Sequence, residues 1–417
     1  MKQGALPKPL AGVRVLDLTR VIAGPYCSLM LADMGADIAK LEEPLRGDEL
    51  RWLGRYPGRA EHDEDYFYAS NRTKRSISLN LKDDSERRIA QELASVADVL
   101  VENFAPGVAQ RIGMGWEELS ACNPRLVYCS ISGFGQSGPY RNRLALDPII
   151  QAVSGVMSVT GKEGAEPMQI GAPMGDVVAG MFGAYAIVSA LYARNTTNCG
   201  RYIDISMQDA MLAVLGPRMG EALQAGINPG RHGNENPMRV PANTYLTRDR
   251  HYIAIIVQND NHWEAFCRAI DRLDLYRDER YRTMKQRVAH RQDIDTIVAQ
   301  EFTRRDAAEW EKRLDSNRVP YAYVNTYLEA IADSQVVHRG LIKEVMHSTS
   351  GPIRVVGPPW QMNLDEDQIA PPPILGQHTA DILRDWLGWE QAKAQALQAT
   401  HEKRRAALKA SSLEAMQ

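Results

Sequence analysis

The chain has 417 residues, 44% hydrophobic and 24% charged, with 49 Lys and Arg against 52 Asp and Glu. That length exceeds one simple core and predicts two domains, and those fractions are of a globular protein, not a disordered or fibrous one. A net charge of -3 excludes a general polyanion binder, so no nucleic-acid partner is expected.

The first predicted element is a strand over Val13–Leu18. It runs through TRVIAGP into a helix over Tyr26–Met34, with Pro25 at the first helical position and Gly35 closing the helix. DIAKLE (Asp37–Glu42) is a second strand, which completes one βαβ unit. The pattern continues with SISLNL (Ser76–Leu81), a helix over Ser85–Val96, and the strands DVLVENF (Asp98–Phe104) and LVYCSIS (Leu126–Ser132), the last ended by GFGQSGP. An apolar helix over Val177–Tyr192 precedes a strand over Arg201–Met207 and the helical QDAMLAVLG.

Composition changes near residue 215, where Gly and Pro crowd GINPGRHGNENPMRVP. A hairpin-like YLTRDRHYIAIIV and charged amphipathic helices follow and read as a smaller α+β domain. IRVVGPP (Ile353–Pro359) and a helix near Thr379–Leu387 then lead back to the first domain, and EKRRAALKASS reads as a polar helix. The expected organisation is a large α/β domain over 1–215, a linker over 216–242, a small domain over 243–330 and a return over 331–417. Cys27, Cys122, Cys129, Cys199 and Cys267 form no CxxC pair, which predicts free thiols in a cytoplasmic protein. MKQGALPKPL lacks a signal-peptide core, and the apolar stretch Gly171–Leu191, broken by Gly180 and Gly183, reads as about five turns and too short for a membrane.

Several chemistries drop out. His232, His251, His262, His338, His347 and His378 lie far apart without HExxH or Cys/His ligand spacing, so no metal is expected. No GxSxG elbow supports a serine hydrolase. The turn Arg20–Pro25 holds only Gly24, too few glycines for a dinucleotide fingerprint; it is either a tight βα connection or a helix N-terminus open to a phosphate. Arg72, Lys74, Arg75, Lys82 and Arg111 form either a solvated face or a phosphate grip near strand ends.

Asp176 stands alone in GAPMGDVVAGMFGAYAIVSAL. It reads as the N-cap of the helix that follows, or as a nucleophile approached across Gly171 and Gly175. Burial would raise its pKa and the helix N-terminus would lower it. Backbone N–H groups around Gly175–Val177 are candidates for stabilising an oxyanion.

In order along the chain, LAGVRVLDLTRVIAGPYCSLMLADMGADIAKLEEP, NRTKRSISLNLK, ADVLVENFAPGVAQRIG, NPRLVYCSISGFGQSGPY, GAPMGDVVAGMFGAYAIVSAL, GRYIDISMQDAM and VVGPPWQM…LGQHT resemble the class III CoA-transferase family. This is the CaiB/BaiF group, which includes formyl-CoA:oxalate and carnitine CoA-transferases. The resemblance implies a Rossmann-like large domain built from both chain ends, an inserted smaller domain, and an interlocked homodimer. It implies acyl-CoA and a carboxylic acid as substrates and Asp176 as the nucleophile. Ile22, Ala23, Leu79, Lys82, Asn103, Phe104, Ala105 and Arg111 match positions along CoA, and Asp147 matches an acidic residue near the active centre. Departures are Glu43 where formyl-CoA transferase has arginine, Ala145-Leu146-Asp147 where many relatives read Gly-Tyr-Asp, and no counterpart of the glycine-rich covering loop; they point away from oxalate/formyl specificity. The rivals are an α-methylacyl-CoA racemase, whose histidine position is Leu146 here, and a non-catalytic CoA-binding relative.

Overall fold

The computed structural model describes residues 6–53, 65–362 and 369–414. The chain divides into two compact units, one of residues 1–156, 170–220 and 337–417, the other of residues 157–169 and 221–336. The first holds a six-stranded sheet of β1 (Arg14–Asp17), β2 (Asp37–Glu42), β3 (Arg75–Ser78), β4 (Val99–Glu102), β5 (Val127–Ser132) and β6 (Arg201–Ser206). Every pairing is parallel, and the spatial order is β3-β2-β1-β4-β5-β6. This is the doubly wound order, in which ligands bind beyond the carboxyl ends of the strands, where the order reverses between β1 and β4.

Helix α1 (Ala23–Asp33) follows β1, α2 (Asp84–Val96) follows β3, and α3 (Asp147–Val153) and α4 (Met174–Thr197) separate β5 from β6. α1 begins three residues before its expected start, which puts Pro25 third in the helix. Proline is harmless there because the first four N–H groups of a helix lack intrahelical partners. Leu16, Leu41, Ile77 and Leu100 of the sheet share one core with Leu383 and Trp386 of the helix Thr379–Leu387, so the chain's last segment completes this unit.

α4 corrects the five-turn expectation. It has 24 residues, and by length and composition it would reach across a membrane. Gly180 and Gly183 do not break it but let it lie against α1. A Cβ on Gly180 would stand 2.6 Å from the Ala23 carbonyl oxygen, and one on Gly183 3.0 Å from Cys27 Sγ. Half of its most apolar window is buried inside the structure.

The second unit has an antiparallel sheet of β7 (Ala242–Leu246), β8 (Tyr252–Ile256) and β9 (Tyr321–Tyr323) over a core that includes Trp263, Phe266, Phe302 and Trp310. Residues 216–225, read from sequence as the start of a linker, form a helix with no buried residue. The fold is thus mixed α/β, with a parallel sheet in one unit and a small antiparallel sheet in the other.

Candidate active site

Polar residues collect at the carboxyl ends of the central strands. Buried parallel strands are otherwise near-continuous apolar runs, so Asp17, Lys40, Glu42 and Glu102 stand out in β1, β2 and β4. Lys40 Nζ lies 2.9 Å from Asp48 Oδ2, with both side chains fully buried, and also donates to the Thr19 carbonyl at 2.8 Å. Asp48 Oδ1 accepts the Val21 N–H at 3.1 Å. Asn103, just past β4, accepts the Arg20 N–H at 2.9 Å and donates its amide to the Arg20 carbonyl at 2.8 Å. The β1–α1 turn is therefore held from outside at three consecutive residues.

A cavity of about 240 Å³ opens beside this turn. Leu79, Lys82 and Phe104 line it together with Arg20 and Glu43. Of the other positions matched to CoA, Ile22 and Ala23 begin α1, while Asn103, Ala105 and Arg111 flank the cavity without lining it. Ala105 and Arg111 are exposed. Glu43 accepts the N–H groups of Leu45 and Arg46, so where the resemblance places an arginine this chain has a turn-forming carboxylate. A larger cavity, about 790 Å³, is lined by Arg46, Trp52 and Arg405 and by none of the sequence-predicted site residues.

Three of the five sequence-selected cations are neither a solvated face nor a phosphate grip. Arg72 is buried in an ion pair with Asp33. Lys74 is buried 3.3 Å from Asp17 and donates to the Pro25 carbonyl and Asn71; burial leads in pulling its pKa down to about 8. Arg75 bridges Asp37 and Asp385. Local sequence showed the cations but not their partners, which arrive from distant elements. Lys82 alone of the five both lines the cavity and stays exposed.

The first turn of α4 departs from the expected cap. Its N-cap is Pro173, which offers no side-chain bond, and Asp176 is the third helical residue. The capping acceptor comes from α3: Asp147 Oδ1 receives the Gly175 N–H at 2.7 Å, and Oδ2 receives the Gln151 amide at 2.7 Å. Gly175 permits this approach, since a Cβ there would meet Asp147 Oδ1 at 3.0 Å. The Val177 N–H goes to the Pro173 carbonyl at 3.0 Å. Two of the three N–H groups expected to stabilise an oxyanion are therefore already engaged.

Asp176 itself is half-buried, and none of the described residues donates a hydrogen bond to its carboxylate. Burial first, and the nearby Asp147 charge second, push its pKa up to about 7. The arrangement is a carboxylate that ionises near neutrality, is weakly solvated, and has its helix capped by another residue. A perturbed carboxylate of this kind is a candidate for a functional role.

Glu102 is a second perturbed acid that sequence reading passed over. Burial pushes it up to about 7 against the lowering effect of its bonds from Ser130 and the Phe104 N–H. Ser130 in turn accepts the Gln136 amide at 2.7 Å, and Asp204 accepts the Gln136 N–H at 2.9 Å, which ties down the glycine-rich turn after β5. A charged residue in an otherwise apolar strand was the available signal for Glu102, as for Lys40.

A doubly wound sheet with a cavity at its switch point and a raised carboxylate on a neighbouring helix is the arrangement of an α/β enzyme. The chain belongs to CoA-transferase family III, whose model matches residues 10–379. CoA transfer is thereby the class of its activity. It is 36% identical to a succinyl-CoA:glutarate CoA-transferase of Mus musculus over 94% of this chain and 89% of that protein. An acetyl-CoA:oxalate CoA-transferase of Acetobacter aceti is 37% identical over 87% of this chain and 92% of its own length. Among solved structures, a CaiB/BaiF family protein from Brucella suis superposes with a TM-score of 0.82 at 32% identity, covering 91% of this chain and all of that one.

Proposed function

We propose that the enzyme moves CoA from an acyl-CoA to a free carboxylate through covalent intermediates on Asp176. The carboxylate oxygen attacks the thioester carbonyl, the C–S bond breaks, and CoA leaves as thiolate with a mixed anhydride on Asp176. The thiolate attacks the aspartyl carbonyl and expels the donor acid, leaving an aspartyl-CoA thioester. The acceptor carboxylate attacks that thioester to give a second anhydride and free thiolate. Attack of the thiolate on the acceptor carbonyl releases the new acyl-CoA and restores Asp176. No net proton or water is consumed, so a site that excludes water protects every intermediate. The observation that carries this reading is the Asp176 carboxylate raised to about 7, with no hydrogen bond from any described residue, one helical turn before the Gly180 contact with α1.

In the same reading CoA lies along the cavity lined by Leu79, Lys82 and Phe104, near the start of α1 at Ile22 and Ala23. Asn103, Ala105 and Arg111 form its outer edge, and Arg111 supplies an exposed cation for phosphate. Asp147 belongs to the substrate pocket beside Asp176. Short dicarboxylyl thioesters are the first substrates to test, since succinyl-CoA and glutarate are named for a relative matching 94% of the chain. A homodimer also belongs here. Met181, Tyr185, Val188 and Tyr192, four and three residues apart, give α4 an exposed apolar stripe that a second copy would cover. Free cysteines at all five positions fit a reducing cytosol.

Mass spectrometry after incubation with succinyl-CoA should find CoA on the peptide bearing Asp176. An Asp176→Ala protein that kept full exchange activity would end this mechanism, and light scattering at the mass of one chain would end the dimer.

A further inference from the structure

We infer that Asp48 and Asn103 are positioning residues that clamp the Thr19–Val21 turn in a strained backbone conformation and so fix the start of α1 against α4. The inference rests on the Asp176 reading given above. Val21 has φ +66°, the left-handed region. A β-branched residue is among the least tolerant of that region, because its Cβ crowds the backbone. Such a conformation persists only where the surroundings over-determine it.

The surroundings here do so at each residue of the turn. The Thr19 carbonyl takes the Lys40 ammonium, both polar groups of the Arg20 backbone take the Asn103 amide, and the Val21 N–H takes Asp48. None of these side chains is local to the turn. Asp48 is itself immobilised by the buried Lys40 and by its own N–H to Glu42 Oε1 at 3.1 Å, and Glu42 pairs with Arg51 at 2.7 Å. The clamp thus ends in a buried lattice of charges.

The turn leads directly into the first turn of α1, where the Ala23 carbonyl and the Cys27 N–H form the seat for Gly180 of α4. Asp176 is one helical turn upstream of that seat. Thr19 and Arg20 also line the cavity assigned to CoA. Relaxing the turn would therefore shift the cavity wall and the nucleophile's helix together. Asn103, matched by resemblance to a CoA contact, uses both amide atoms on Arg20, so its side chain serves the turn.

The test is a double-mutant cycle. Glycine adopts φ +66° without strain, so Val21→Gly removes the need for the clamp. Asp48→Ala removes the oxygen that accepts the Val21 N–H; it should lower kcat/KM for acyl-CoA by about tenfold to a hundredfold, mainly through KM, and Val21→Gly should restore most of that loss. Thermal unfolding of the same four proteins reads the strain independently of activity, and the Asp48→Ala loss should shrink in the Val21→Gly background. Where Asp48→Ala fails to fold, Asn103→Ala, a change at a half-buried side chain, carries the same cycle. Equal losses in both backgrounds by melting would overturn the clamp. Rescue in melting without rescue of KM would make it purely structural and overturn the positioning role. A wild-type protein that transfers no CoA would instead overturn the functional reading, leaving the melting cycle to decide the clamp.

Discussion

Asp176→Asn isolates the charge at the proposed nucleophile with almost no change in shape. The Asp176 pKa moves from an ordinary 3.8 to about 7 on folding. At about 1.4 kcal/mol per unit, three units correspond to about 4 kcal/mol as an upper bound, which water and side-chain relaxation at a half-buried group reduce to about 2–3 kcal/mol. The sign is set by the raised value. Between pH 3.8 and about 7 the folded chain keeps a proton that the unfolded chain has released. Stability therefore falls as pH rises through that window; the cost is absent below it and complete above it. The asparagine side chain carries no such cost. Urea unfolding should show the variant gaining on the wild type by about 2 kcal/mol between pH 5 and pH 8. A stability difference that stays constant across those pH values would refute the reasoning, because Asp176 would then ionise like a solvated carboxyl.

Asp147→Asn removes the neighbouring charge but keeps an oxygen for the Gly175 N–H. The acid limb of the kcat/KM profile should move down by up to about one pH unit, still well above 3.8 because burial is the larger cause; an unmoved limb would assign it to another group. Gly180→Ala would place a methyl 2.6 Å from the Ala23 carbonyl and 3.1 Å from the Cys27 nitrogen. It should cost about 1–3 kcal/mol by forcing α1 and α4 apart, and a variant with unchanged melting would show that the helices do not depend on that contact.

The sheet was legible because its strands are short apolar runs separated by helical periodicity, and β2 and the helix Thr379–Leu387 fall within their expected limits. The α4 start was not, since Asp in a glycine-flanked turn satisfies the local rule for an N-cap whether or not it caps. What decides the matter is Asp147, 29 residues upstream, and no local pattern announces that contact. The cations of NRTKRSISLNLK misled for the same reason. Arg72 and Arg75 find Asp33, Asp37 and Asp385, which only the sheet order and the returning C-terminal segment bring near. Lys40 and Glu102 did leave a trace, a charge inside an apolar strand, but periodicity marks such residues as anomalies without naming their partners.

The division of labour between the two aspartates would let one helix end be both stable and, in the proposed mechanism, reactive. A carboxylate that caps a helix accepts N–H bonds, and those bonds favour its charged form and lower its nucleophilicity with its pKa. If Asp176 were the cap, it would be comfortable and weak. With Asp147 taking the Gly175 N–H, α4 is capped without Asp176, and the Asp147 charge adds to burial in raising it. The same contact therefore stabilises the helix and withholds stabilisation from the carboxylate the helix presents. Gly175 is what makes this geometry possible, because any side chain there would compete with the Asp147 oxygen for the space beside the N–H.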